Sequence, residues 1–209
     1  CTPIAALPRP TVPPISTGPY AAVRVEVSSP RQTSMTSVWA SFKNRWAWLA
    51  INLVTAFIAS RVIGLFEGSI EKLVALAALM PIVAGIGGNS GNQTTTMIVR
   101  AAALGQVTIA NARQLIRKEI VVSLINGLVW GGVMGLVAML LYRDVALGLV
   151  MVLAMTLNLI LAALMGVLIP MAMLKFGRDP ALGSSVLITA VTDSGGFFIF
   201  LGLATLFLV

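Results

Sequence analysis

The sequence contains no histidine and only one cysteine, Cys1, among its 209 residues. Without histidine it cannot form the imidazole sites that hold zinc, nor the Ser-His and Cys-His pairs of nucleophilic catalysis. A single cysteine cannot form an intrachain disulfide, so the thiols carry no information about the redox compartment. A metal ion bound by these residues is therefore held by oxygen atoms, and an enzyme is the least favoured class of function.

Charged side chains are scarce as well. Asp, Glu, Lys and Arg make up 10% of the chain, against roughly 25% in soluble domains, while 58% of the residues are hydrophobic and the mean hydropathy is +0.97. Such a chain lacks the polar surface that faces water. The net charge of +7 comes from bases that flank the apolar stretches without forming one basic face, which argues against nucleic acid and for a lipid bilayer as the partner.

Five apolar runs follow one another after the first 45 residues. About 20 helical residues cross a hydrocarbon core of about 30 Å. Backbone groups in lipid must bond within their own segment, and the runs lack the alternation of a barrel strand, so we expect helices. The prediction is an all-α membrane protein, a bundle of five transmembrane helices within a domain of residues 36–209. The spans fall at 46–66, 73–99, 120–142, 145–174 and 181–209.

The first 35 residues have a different composition. They hold seven prolines and almost no apolar periodicity, a pattern that cannot bury enough surface to offset the entropy of ordering. We predict a proline-rich, disordered cytoplasmic tail over 1–35. Whether this tail is native, and what it binds, stays open.

The distribution of lysine and arginine sets the orientation. Eight of them flank the spans on one side, against Lys72 and Arg143, with Arg61 near the outer end of span one, on the other. This places the N-terminus in the cytoplasm and the C-terminus outside a membrane that we take to be a bacterial inner membrane. The eight are Lys43, Arg45, Arg100, Arg113, Arg117, Lys118, Lys175 and Arg178.

Asp193 is the most unusual residue within the spans. It lies about 13 residues into span five, roughly 18 Å deep and near the midplane, where a carboxylate costs about 2.5–3.5 kcal/mol. Helical spacing gives it Thr189, Thr192 and Gly196 as neighbours on a narrow polar face. A protonated or paired structural aspartate is the alternative, but a carboxylate at this depth favours an ion pathway.

Span two carries a polar stripe within PIVAGIGGNSGNQTTT, residues 81–96. Amide and carbonyl oxygens are ligands that a hard cation accepts, and Pro81 together with several glycines weakens the helix that presents them. Close packing through small residues, such as Gly87 and Gly91, explains the glycines but not the amides. The residues that share the polar face are Gly85, Asn89, Asn92, Gln93 and Thr96.

Other features of the spans favour structural roles. Gly127, Gly131 and Gly135 repeat every fourth residue of span three, which is typical of a close-packed helix pair. Asn126 in span three and Asn158 in span four are lone amides. The sequence does not decide whether either one forms a hydrogen bond between helices. Glu119, which this reading places just before span three at its cytoplasmic end, is expected to complement the helix N-terminus or to pair with nearby arginines.

One carboxylate and several neutral oxygens per chain suit a small, hard cation. Magnesium keeps several of its waters and uses one or two carboxylates, and a two-fold dimer brings two copies of Asp193 to a shared axis. We therefore predict Mg²⁺ as the transported ion, with Mn²⁺, Co²⁺ and Ca²⁺ left open. The residues predicted to bind it are Asp193, Asn89, Thr189, Gln93 and Gly85.

Two separated segments, residues 66–107 and 179–206, resemble the membrane domain of the MgtE family of magnesium channels and transporters. The resemblance covers residues 43–209. It implies a homodimer with five spans per chain and a pore lined by spans two and five. It also implies that Asp193 governs the binding of hydrated magnesium and that Asn89 belongs to the GGN motif of span two.

The resemblance leaves the regulation open. The family's cytosolic helical domain and CBS modules are not found in these 209 residues, so regulation comes from elsewhere, the pore is constitutive, or the gene is truncated. A regulatory partner is unknown. Two rival functions stay open: a non-conducting accessory subunit of the membrane, and an exchanger of divalent cations coupled to a proton or sodium gradient.

Overall fold

The computed structural model of the chain describes residues 38–106, 112–177 and 180–209, and the predicted tail over 1–35 lies outside them. Regular structure in these ranges is entirely helical, which confirms the all-α prediction. The chain divides between Ser41 and Phe42, inside the first helix, and the site lies in the unit that begins at Phe42. The helices are α1 (Val38–Gly64), α2 (Glu67–Lys72), α3 (Ala75–Ala103), α4 (Ala112–Tyr142), α5 (Val145–Lys175) and α6 (Pro180–Phe207).

The described residues form six helices, where the sequence predicted five. The additional helix, α2, has only six residues and is about 9 Å long, so it is too short to cross a membrane. Its sequence EGSIEK is polar, and a reading based on hydropathy places it in a loop. The hydroxyls of Ser69 on α2 and Thr205 on α6 form a hydrogen bond of 2.7 Å, which fixes α2 against the end of α6.

Within the described ranges, four helices have the length and composition of a membrane span: Trp46–Gly64, Ala112–Tyr142, Val145–Lys175 and Gly183–Phe207. Span two, predicted over 73–99, corresponds to α3, which has 29 residues and is about 44 Å long. Its polar residues lower its hydropathy, so length alone supports it as a span.

The α4–α5 hairpin is antiparallel and tightly packed. A Cβ built on Gly127 would lie 2.7 Å from the Cα of Thr156, and one built on Gly135 would lie 2.6 Å from the carbonyl oxygen of Gly148. The Asp144 side chain begins α5 by accepting hydrogen bonds from the backbone N–H groups of Ala146 (2.8 Å) and Leu147 (3.1 Å). The prediction that the glycines of this helix form a packing face is therefore confirmed.

Helix α5 is the centre of the bundle, with α3, α4 and α6 packed around it. Gly87 of α3 lies against Asn158 of α5, and Thr95 of α3 bonds to the Gly166 carbonyl of α5 at 3.3 Å. The residue numbers in these contacts increase in the same direction on α3 and on α5, so these two helices are parallel. Asn158 also lies against Gly196, while Ser184, near the start of α6, donates to Met173, near the end of α5, so α6 runs antiparallel to α5.

The two halves of the bundle are packed differently. One half holds an apolar cluster that includes Leu76, Met151 and Phe200, all fully buried. In the other half, where α3 continues past Gly87, contacts involve glycines, threonines and Asn158. Small residues allow helix backbones to approach closely, so the helices that carry the predicted site are held by close backbone packing.

Helix α1 lies at the edge of the bundle. Trp48 packs against Gly183 near the start of α6, where a Cβ would collide with the indole ring. Most large side chains of α1 point away from the other helices, with Leu53 73% and Phe57 67% exposed. An apolar exterior of this kind suits a lipid environment or the surface of another membrane helix.

Candidate cation-binding face on helices α3 and α6

Helix α3 has two faces of different chemistry. The face turned into the bundle is built from small residues: Gly87, Gly88, Gly91, Thr94 and Thr95 are all buried. On the opposite face Gly85, Asn89, Gln93 and Thr96 are exposed, and Asn92 is partly buried. The prediction that these five residues share one polar face is thus confirmed for four of them, with Asn92 at its edge.

This separation follows from the helical period of 3.6 residues. Glycines at one set of positions let α3 approach α5 and α6, and the amides at the other set are therefore turned outward. The Thr96 hydroxyl donates a hydrogen bond of 2.8 Å to the Asn92 carbonyl within the helix. The outward face of α3 thus carries carboxamide groups as its most polar side chains.

On α6 the predicted polar face is split between the interior and the surface. Thr192 is fully buried, and its hydroxyl donates to the Ile188 carbonyl at 2.9 Å. Gly196 is also buried, whereas Thr189 and Asp193 are only partly buried. Burial thus divides the residues that helical spacing places on one narrow polar face. Close packing against α3 and α5 takes Thr192 and Gly196 into the bundle.

The two helices meet at Gly88 and Thr192. A Cβ built on Gly88 would lie 3.5 Å from the Thr192 hydroxyl oxygen, an ordinary contact between packed groups. Asn89 follows Gly88 on α3, and Asp193 follows Thr192 on α6. The structure therefore brings these two predicted site residues to helix positions directly beside the α3–α6 contact.

Asn158 joins α3, α5 and α6 on the inner side of this contact. Its side chain is fully buried, and Nδ2 donates a hydrogen bond of 2.9 Å to the backbone carbonyl of Val83 on α3. Its Oδ1 is buried without a hydrogen-bond partner. Of the two amides whose role the sequence left open, Asn158 therefore bonds between helices, whereas Asn126 is exposed on α4.

Glu119 is a buried polar residue whose surroundings the sequence did not reveal. It lies in the interior of α4, which begins at Ala112, and is only 4% exposed. Thr94 of α3 donates a hydrogen bond of 3.1 Å to its Oε2. Of the two roles expected for Glu119, complementing the helix N-terminus is wrong, because α4 begins two turns earlier than the hydropathy indicated. The polar residues that precede Ile120 hide that start. Pairing with nearby arginines stays a prediction.

The described residues contain few carboxylates that could hold a metal ion together. Nowhere in the described ranges do three or more His, Cys, Asp or Glu side chains converge to hold a metal ion. A cavity of about 390 Å³ between α1, α5 and α6 includes Thr55, Leu161 and Ser194, but its walls are mainly apolar. On the α3–α6 face, the carboxylate of Asp193 and the amide of Asn89 belong to residues that directly follow the contact between Gly88 and Thr192.

Comparison with known proteins shows which family this chain resembles. The family model of MgtE, described as a divalent cation transporter, matches residues 80–203, a segment that begins just before the polar stripe and ends within α6. The chain is 30% identical over 173 residues to the magnesium transporter MgtE of Bacillus subtilis, covering 83% of this chain and 38% of that protein. It is 35% identical over 166 residues to the magnesium transporter MgtE of Thermus thermophilus, covering 78% of this chain and 36% of that protein.

A third relative, the magnesium transporter MgtE of Enterococcus faecalis, is 30% identical over 164 residues. The chain spans less than two fifths of the length of these relatives. The matched segment contains α4, α5 and α6 up to Leu203, together with the part of α3 that begins at Met80. On the match of more than half of its residues to the family model, this chain belongs to the MgtE family.

Proposed function

We propose that this chain passes divalent cations, with Mg²⁺ as the principal ion, across a membrane along the outward face of α3 and α6. In this proposal Asp193 binds the hydrated ion, with Asn89, Thr189, Gln93 and Gly85 beside it. The observation that carries the proposal is that Asn89 is exposed on α3 and Asp193 is only partly buried on α6, while the residues just before them, Gly88 and Thr192, contact each other.

The interior of the bundle argues for an external pathway. Helix α5 fills the centre, and the residues that α3 turns toward it, such as Gly87 and Gly91, are in close contact with it or with α6. Exposed amides and a carboxylate are costly against lipid tails. The polar face of α3 and α6 therefore needs water and a further protein surface, and a second copy of the chain related by a two-fold axis supplies both.

The chemistry of the face suits a hydrated magnesium ion. Mg²⁺ dehydrates reluctantly and usually contacts one or two carboxylates through a shell of water. Two copies of Asp193 at a two-fold axis provide such a pair, and the amides of Asn89 and Gln93 offer oxygens to the coordinated waters. This argument also allows Mn²⁺, Co²⁺ and Ca²⁺, which share the preference for oxygen atoms to different degrees.

The helix directions are consistent with five crossings. Helices α3 and α5 are parallel, α4 and α6 run against α5, and α1 starts beside the start of α6 at Trp48 and Gly183. This alternation is what a chain that crosses the bilayer five times requires. Combined with the distribution of Lys and Arg, it supports a cytoplasmic N-terminus and an external C-terminus, in a membrane that we propose to be a bacterial plasma membrane.

The decisive experiment measures Mg²⁺ uptake into proteoliposomes by the wild-type chain and by Asp193→Asn. Loss of one negative charge about 4 Å from a dication in a water-filled path removes about 2 kcal/mol, or roughly a thirtyfold weaker interaction. We expect uptake at low Mg²⁺ to fall by about this factor. Competition by Mn²⁺, Co²⁺ and Ca²⁺ in the same assay ranks the ions.

The matched control is Asp144→Asn, which also replaces a carboxylate by an amide. Its Oδ1 can still accept the two N–H bonds at the start of α5, so uptake should be unchanged. Equal uptake by wild type and Asp193→Asn would contradict the proposed role of Asp193. A folded wild-type chain without uptake would favour the accessory subunit, and uptake that requires a proton or sodium gradient would favour the exchanger.

A further inference from the structure

We infer that Asn158, which lies behind the cation-binding face, is a positioning residue for it. Its amide sets the spacing between α3 and α6 and thereby the placement of Asn89 and Asp193. The inference rests on the proposed function. In this inference Asn158 acts through the two helices, and neither its Oδ1 nor its Nδ2 contacts the ion.

The first observation is the tether to α3. Asn158 Nδ2 donates to the backbone carbonyl of Val83 at 2.9 Å. Val83 lies between Pro81, which cannot donate a helical N–H bond, and Gly85, which lowers the local helix stability. The tether therefore acts on the part of α3 that its own sequence supports least, about two turns before Asn89.

The second observation is the fit of the amide between two helices. A Cβ on Gly196 of α6 would lie 2.6 Å from Asn158 Nδ2, and a Cβ on Gly87 of α3 would also collide with this atom. The planar carboxamide is thus held between the backbones of α3 and α6. Gly196 lies one turn after Asp193, and Gly87 lies two residues before Asn89. The thickness of the amide therefore sets the separation of the helices at the level of the site.

The third observation is the unpaired acceptor. Asn158 Oδ1 is buried and has no hydrogen-bond partner, whereas buried polar atoms in proteins are nearly always paired. An apolar side chain at this position would avoid that penalty but would provide no donor for Val83. The amide is therefore accounted for by the tether and by its flat shape, and the unpaired oxygen is the cost of both.

The test compares Asn158→Ala with Asn126→Ala in the full chain. Asn126 is an exposed amide on α4 and serves as a control for loss of a membrane amide. Residues that orient a metal-binding group typically change metal affinity by about 10–100-fold when removed. We therefore expect Asn158→Ala to raise the half-saturating Mg²⁺ concentration of proteoliposome uptake by about tenfold, with much less effect on the maximal rate per folded protein, and Asn126→Ala to change neither.

A second variant tests the spacing itself. Gly196→Ala adds a methyl group that collides with the Asn158 amide, so alone it should also raise the half-saturating Mg²⁺ concentration. In the Asn158→Ala background the methyl enters the space that the amide has vacated. The double variant should therefore bind Mg²⁺ better than the product of the two single effects, whereas independent effects would contradict a shared spacer.

The outcomes separate the two proposals. If the wild type takes up Mg²⁺ and Asn158→Ala has the same half-saturating concentration, the positioning role is overturned and the proposed function stands. The same conclusion holds if Asn158→Ala lowers only the maximal rate. Absence of uptake by a folded wild-type chain would overturn both. A raised half-saturating concentration in Asn158→Ala that Asn126→Ala does not share supports the inference.

Discussion

The contact between α4 and α5 allows a quantitative test, because two glycines of one helix have opposite surroundings. A Cβ on Gly135 would lie 2.6 Å from the carbonyl oxygen of Gly148 and 2.6 Å from Cγ2 of Val152. A Cβ on Gly132, three residues earlier, would meet no atom of the described residues within 4 Å. The substitutions Gly135→Ala and Gly132→Ala thus change the same chemistry on the same helix in different environments.

The expected magnitudes follow from two effects. Replacing glycine by alanine inside a helix gains about 1 kcal/mol from helix propensity, and this gain applies to both variants. Overpacking costs about 1–3 kcal/mol. At Gly135 the upper end applies, because one of the two colliding atoms belongs to backbone and cannot rotate away. We expect Gly135→Ala to lower the free energy of unfolding by about 2 kcal/mol and Gly132→Ala to raise it by up to about 1 kcal/mol.

The assay is unfolding of the purified chain in detergent, followed by helix content against denaturant concentration or temperature. For a chain of this size 1 kcal/mol corresponds to roughly 2–4 °C in midpoint, so the two variants should differ by roughly 6–12 °C. Adding Val152→Ala to Gly135→Ala should recover part of the loss, since it removes one of the two collisions. Equal stability of Gly135→Ala and Gly132→Ala would refute the close approach of α4 and α5.

Two further substitutions test single hydrogen bonds by the same unfolding assay. Asp144→Ala removes the acceptor of the Ala146 and Leu147 N–H groups and should lower the free energy of unfolding by about 1 kcal/mol. Asp144→Asn should retain most of this cap. Equal losses in the two variants would show that the charge of Asp144 matters and its capping does not. Thr94→Val removes the donor to the buried Glu119 and should lower the free energy of unfolding by about 1–3 kcal/mol. Thr94→Ser should lower it much less. Unchanged stability in Thr94→Val would show that water or another group donates to Glu119.

The sequence alone was sufficient for the class of fold and for the polar face of α3. Lipid leaves a long apolar segment little choice but a helix, and a period of 3.6 residues places Asn89 and Gln93 on one side of it whatever its neighbours are. The spacing of Gly127, Gly131 and Gly135 likewise predicts close packing without knowledge of the partner helix. The short helix α2 escaped prediction because polar residues in a connection carry no hydropathy signal.

The rotation of each helix against its neighbours was decided only by the tertiary structure. Periodicity fixes the angle between two residues on one helix, but not which side meets another helix. It therefore placed Thr192 and Gly196 near Asp193 without showing that both are buried in the bundle. Asn158 and Val83 are 75 residues apart in the chain. Their hydrogen bond exists because small residues on three helices let the backbones approach closely enough for one amide to reach between them.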